Sequence, residues 1–337
     1  MVTDVDRKGY REFLRTRHLS DEQIADAIRI VARFEAFLRR QAVPKTLESA
    51  TRTDFTSFSK TLLEKGLDTE ENYLALGRYG RFVKNNDVYL GALELLDGAD
   101  VLQVLHKKLG RAVGRRKRDL VFKDMGLPRM GTPSTEKPRF TSAVMKRLQE
   151  ETDPAVCKSV LADVAHGIPR KYYRDERKKF LKAGNIDVYL ENKKREWDAL
   201  LQKHRDEKTL FFNQEITDEV LSYVRSRPDI EVGVRRGAML VHTKIPYMAK
   251  EYLVETDDRM KRYYACHCAW AREAIKSGEP IVSPTFCYCS AGFTKQPWEV
   301  ALGTDLEVEM VKSALKGDTE CTFIVHLPDD VLRNLKE

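Results

Sequence analysis

A chain of 337 residues exceeds the usual size of one hydrophobic core, and a composition of 42% hydrophobic and 33% charged residues excludes a disordered chain. The net charge of +7 is modest, and positive charge concentrates in the run KKLGRAVGRRKRDLVFK over residues 107–123. No apolar run approaches the roughly 18 to 20 residues that span a bilayer, and the N-terminal MVTDVDRKGYREF lacks the apolar centre of a signal peptide, so a cytoplasmic location with no membrane partner is expected.

Residues 1–112 read as helices. Ser20 followed by Asp21, Glu22 and Gln23 predicts a capping box, and Ile24, Ala27, Ile28, Val31, Phe34, Phe37 and Leu38 then recur on one helical stripe that ends near Pro44. Thr53 is expected to cap a second helix that stops near Gly66. Thr69 is expected to cap a third, carrying Tyr73, Leu74, Leu76, Tyr79 and Phe82, with two short helices on either side of Asp97 and Gly98.

The succession LSDEQIADAIRIVARFEAFLRRQ, FTSFSKTLLEKG and TEENYLALGRYGRFVK resembles the SAM-like core-binding domain of tyrosine recombinases and phage integrases over about residues 8–110. The resemblance implies an all-α bundle able to clamp DNA. Nothing downstream matches the Arg, His and Tyr set of the recombinase catalytic domain, so strand cleavage is not implied. A bundle used for packing or dimerisation is the alternative, and an oligomer is compatible with it.

Residues 113–140 carry basic side chains and then Gly126, Pro128, Gly131, Pro133, Ser134 and Pro138, which predicts an exposed linker. Lys107, Lys108, Arg111, Arg115, Arg116, Lys117 and Arg118 could meet the phosphates of DNA, although a charge run without interleaved aromatics is more often a solvated face.

Residues 141–337 are expected to form an α+β domain with a mainly antiparallel sheet, making the whole chain α+β. Helical patterns follow Thr141 and Pro154, and a long amphipathic run covers Ile186 to His204. After Thr217, a helix cap, β-branched segments predict strands over 230–234, 238–245, 306–313 and 321–327, with Arg235, Arg236 and Gly237 as a hairpin turn.

Five of the six cysteines, Cys266, Cys268, Cys287, Cys289 and Cys321, fall between Tyr263 and Pro328. Thiols in two Cys-x-Cys pairs offer four soft donors for zinc or an iron-sulfur cluster, with Cys321 and His267 as further ligands. Both sulfurs of a pair can reach one ion from extended or turn backbone. Two residues along a helix are rotated by about 200°, which would separate them, so extended or turn geometry is expected at both pairs. Cys157 stands alone on a helical stripe and reads as core. For catalysis the candidates are Cys287 as nucleophile, with His267 and Glu299 as acid or base. Glu273 and His326 carry less weight as ordinary helix and strand-end residues. Tyr263, Tyr264, Trp270, Phe286, Phe293 and Trp298 could line an apolar pocket.

The stretch FCYCSAGFTKQPWEVALGTDLEVEMVKSALKGDTECTFIVHLP is similar to the 4-vinyl reductase domain, a small-molecule-binding α+β module, and to L-2-amino-thiazoline-4-carboxylic acid hydrolase-like proteins. The matching positions are Cys287 or Cys289, Gly292, Glu299, Gly303, Gly317, Asp318, Cys321 and Phe323. The resemblance implies a small-molecule ligand, whereas the upstream CHCAW pair is an addition to both patterns. The reading is a metal- or small-ligand-binding protein, with a ligand-responsive regulator that binds DNA or a partner as its fullest form. The alternatives are a cysteine- or metal-dependent hydrolase or reductase, or a DNA-binding protein lacking a catalytic domain.

Overall fold

A computed structural model describes residues 7–329 and 331. The chain divides into two compact units. The first comprises residues up to Ala99 together with Pro128–Glu136, and the second Asp100–Leu127 together with the chain from Lys137 onward.

The first unit is a bundle of α1 (Arg7–Arg15), α2 (Asp21–Arg39), α3 (Arg52–Glu64), α4 (Glu70–Phe82) and α5 (Asn86–Leu96). The Ser20 capping box forms as its spacing predicts. The next helix starts two residues earlier than expected, because Thr51 pairs reciprocally with Asp54 and so satisfies the helix end better than Thr53 would. Thr69 caps α4. The apolar stripes meet in a core rich in aromatic rings, in which Tyr10, Phe34, Phe55 and Tyr73 are fully buried. The Tyr10 hydroxyl donates to the Ala75 carbonyl at 2.8 Å, so its burial leaves no unsatisfied polar atom. The segment Pro128–Glu136 is tied to this unit by an ion pair from Arg129 to Asp68 and by Met130 against the core.

The second unit opens with α6 (Val101–Val113), α7 (Arg115–Val121), α8 (Lys137–Glu151) and α9 (Pro154–Val164). Much of the stretch expected as a linker is therefore helical, and Val121 and Phe122 are buried in this unit's core. Thr141 lies inside α8 and donates to the Trp270 carbonyl at 2.9 Å. Next come α10 (Arg174–Ala183), α11 (Ile186–Asp206), a ribbon of β1 (Leu210–Phe211) and β2 (Gln214–Glu215), and α12 (Asp218–Ser226), which Thr217 caps as expected. The remainder is β3 (Val234–Arg236), β4 (Met239–Thr243), α13 (Ala249–Val254), α14 (Asp258–Ala265), α15 (Arg272–Ser277), α16 (Tyr288–Leu302), β5 (Val308–Lys312) and β6 (Thr322–His326).

The mixed architecture matches the α+β expectation, and the main sheet is antiparallel in the order β3-β4-β6-β5. The segment 230–234 does not form the expected strand. Glu231 and Gly233 adopt φ of 60° and 85°, which breaks the extended run and leaves a single bridge from Ile230 to Thr243. Arg235 and Arg236 lie in β3, and the turn falls one residue later, around Gly237 at φ 62°.

Register decides what the sheet offers its neighbours. Leu240 faces Val325 and His242 faces Phe323 across the β4–β6 pair, so these residues share one face. Alternation adds Lys244 to that face, and the Lys244 N–H continues the ladder to the Cys321 carbonyl at 3.0 Å. Helix α16 contributes Trp298 and Ala301 to the cluster containing Leu240 and Val325, and Ala291 to the cluster containing Phe323. Its other side meets α9 at Gly292, where an added Cβ would overlap the Ala162 carbonyl.

Candidate functional site

Cys266 and Cys268 occupy the backbone that the spacing predicts. Helix α14 ends at Ala265, Cys266 is its C-cap with φ −79° and ψ 118°, and α15 starts only at Arg272. The Cys268 carbonyl accepts from the N–H groups of Ala271 and Arg272, which fixes the turn between the helices.

The second pair departs from the expectation. Cys287 closes a short 3₁₀ turn, Pro284–Cys287, and Cys289 lies in the first turn of α16, so the pair is helical and its sulfurs diverge. Cys289 points toward α9 and accepts from the His166 N–H at 3.2 Å. Cys287 turns toward the connection after β5, where it is bonded to Ser313 and Leu315. Cys321, just before β6, comes to the same place, because the hairpin between β5 and β6 turns at Gly317, whose φ of 109° is open to glycine.

The thiols sense one another. Burial first, and then Cys266, Cys289 and Cys287, push the Cys268 thiol well above its ordinary range. Cys287 is raised in the same way by burial and by Cys321 and Cys266. Burial and Cys266 push Cys321 up to about 12, and burial pushes Cys289 up to about 11. Backbone N–H groups oppose this trend at every sulfur: Cys268 to Cys266, Trp270 to Cys268, Leu315 to Cys287 and Ala314 to Cys321, in addition to His166 at Cys289. Such donors favour the thiolate over the thiol.

Two buried cations stand beside this cluster: Arg272, a neighbour of the first cysteine pair in sequence and a candidate partner for a thiolate on that ground, and Lys244, which lies outside the cysteine stretch. Lys244 is 6% exposed; its ammonium donates to Ser290 Oγ at 3.2 Å and lies 4.9 Å from the Phe293 ring. Its charge reaches Cys266, Cys289 and Cys321, together with His166, His242, His267 and Glu231. Arg272 is 5% exposed, stacks 4.1 Å over Tyr247, interacts with Cys266, and has no hydrogen-bond partner for Nε or Nη1. The alternation of His242 and Lys244 along VHTKI is the one sequence signal that could have revealed Lys244 as inward-facing.

The other candidates sit in structural roles. His267 donates through Nε2 to the Ile245 carbonyl at 2.6 Å, and burial followed by Lys244 holds it neutral. His326 lies on the opposite sheet face, 3.9 Å from Glu309. Glu273 accepts from the Tyr263 hydroxyl. Glu299 is 4% exposed and bound by Lys295 and Arg170, each at 2.6 Å, and by the Leu306 N–H. Cys157 is core, as expected. In the basic run, Lys108 pairs with Asp163 and Arg118 with Asp119, while Arg115, Arg116 and Lys117 are exposed on α7.

Among the described residues, no three His, Cys, Asp or Glu side chains stand as a ready-made metal-holding group, and no helix is long and apolar enough to cross a membrane. No family model, curated protein or solved structure matches the chain.

Proposed function

We propose that the second unit binds a soft metal centre, zinc or an iron-sulfur cluster, through Cys266, Cys268, Cys287 and Cys321. The observation that carries this reading is the pairing of mutually interacting thiols, buried at Cys266 and Cys321 and half-buried at Cys268 and Cys287, with two buried cations, Lys244 and Arg272. A buried cation needs a counter-charge, and a tetrathiolate centre supplies negative charge where Arg272 has unpaired donors. The backbone N–H groups aimed at the sulfurs serve the same charge state. Cys321 replaces Cys289 in the ligand set expected from the sequence, because Cys287 and Cys289 diverge on their helix. Binding would draw the four sulfurs together.

A nucleophilic cysteine is the weaker reading, since every thiol in the cluster is pushed up rather than down, and a nucleophile requires the reverse. The DNA- or partner-binding role of the first unit rests on helix pattern alone.

Metal analysis of protein purified without oxygen tests the proposal. Zinc or iron is expected, and it should be lost from Cys266→Ser, Cys268→Ser, Cys287→Ser and Cys321→Ser but kept by Cys157→Ser and Cys289→Ser. Absence of both metals, before and after anaerobic reconstitution with zinc or with ferrous iron and sulfide, would refute it.

A further inference from the structure

A separate cavity of about 320 Å³ lies in the second unit, bounded by α10, α11, α16 and β4. An engineered cavity of about 150 Å³ holds one benzene, so this one has room for one or two rings. Its walls include the rings of Tyr173, Trp197, Phe293 and Trp298. Three buried polar atoms on residues lining it have no partner: His242 Nδ1, Thr294 Oγ1 and Trp197 Nε1. His242 and Thr294 are 6% and 3% exposed. Unpaired buried polar atoms are costly, and three on one cavity point to something that satisfies them.

The charge around the cavity narrows the choice. Glu176, Glu196 and Glu231 line it with one lysine, Lys193; Glu176 pairs with Lys193 at 2.5 Å, Glu196 with Lys179 at 2.6 Å, and the charge of Lys244 reaches Glu231. An anion would find no unpaired cation in this wall, whereas aromatic faces beside carboxylates suit neutral or cationic rings. Proline at 297, also in the wall, deprives the Phe293 carbonyl of its helical donor.

We infer that this cavity is a binding site for a neutral or cationic aromatic heterocycle of one or two rings, held between aromatic side chains and hydrogen-bonded by Trp197 Nε1, Thr294 Oγ1 and His242. It stands independently of the metal proposal. Phe293 separates the two, with its ring lining the cavity while it contacts Lys244 and His166.

Ligand-observed NMR on the full chain, using benzimidazole, 2-aminobenzimidazole and isoquinoline against 2-naphthoate and indole-2-carboxylate, tests the assignment. The heterocycles are expected to bind saturably in the millimolar range or tighter and the acids more weakly. Thr294→Val and Trp197→Phe, each checked for an unchanged fold by circular dichroism, should weaken the heterocycles about tenfold. Failure of all heterocycles to bind, equal binding of the acids, or binding indifferent to both cavity variants would overturn the inference.

Discussion

Gly292 and Ala162 bring two helix backbones into direct contact, since a Cβ at position 292 would coincide with the Ala162 carbonyl group. Neither side is a flexible side chain that could move away. Gly292→Ala is therefore expected to destabilise the second unit by about 3 kcal/mol or more, or to prevent its folding. Gly126→Ala, at an exposed position with open space around it, should change stability by less than about 0.5 kcal/mol. Urea unfolding of the two variants gives the comparison.

Glu299 holds two cations and a backbone N–H while almost wholly buried. Glu299→Ala would leave the mostly buried Lys295 with the Leu306 carbonyl but without its counter-charge, at a cost of about 3 kcal/mol. Chemical denaturation measures this cost, and metal content should be unaffected, because the residue supports α16 and not the thiols. Unchanged stability would contradict the structural role.

Acid stability should report the buried histidines. Burial, aided by Lys244, holds His166 and His242 down to about 3, whereas an unfolded histidine takes up its proton near 6.5. Between those values the unfolded state binds more protons, so the stabilisation is complete above pH 6.5 and declines as pH falls, by about 1 kcal/mol per unit for each histidine. Glu231, raised by burial, works in the opposite sense: its contribution is present below the ordinary glutamate range and lost as pH rises. The net slope between pH 6.5 and 4.5 should still be positive, and His242→Asn should flatten it in pH-dependent melting.

Metal-free protein should react slowly with iodoacetamide at neutral pH. Burial raises all five clustered thiols, and only the thiolate is alkylated. Unfolding in urea should release rapid labelling of all six cysteines, as read by intact-mass spectrometry. Fast native labelling confined to one cysteine would favour the nucleophile reading.

The helical first unit was legible because its caps and stripes are local: Ser20 and Thr69 act within three residues of themselves, as does Thr217 in the second unit. The clustering of thiols was legible in position, but the backbone that carries the second pair was not. Whether Cys289 or Cys321 joins Cys266 depends on residue 288 beginning a helix and on a hairpin bringing Cys321 back, and neither is encoded in Cys-x-Cys spacing. Lys244 was not legible because composition presumes cations to be exposed, and only the sheet register shows otherwise; Arg272 was legible as a neighbour of the first cysteine pair, but its burial follows only from its packing on Tyr247.

The chain passes between its two units three times, at residues 99–100, 127–128 and 136–137. A truncation after residue 112 would therefore yield no complete unit. It would remove Pro128–Glu136 from the first and strip α6 from the second, uncovering the apolar surface around Leu102, Leu105 and Leu109. During synthesis the first unit cannot close until Glu136 has emerged, by which time α6 and α7 have already been made and must wait for partners that lie later in the chain. Limited proteolysis should accordingly release no stable fragment ending within residues 100–127.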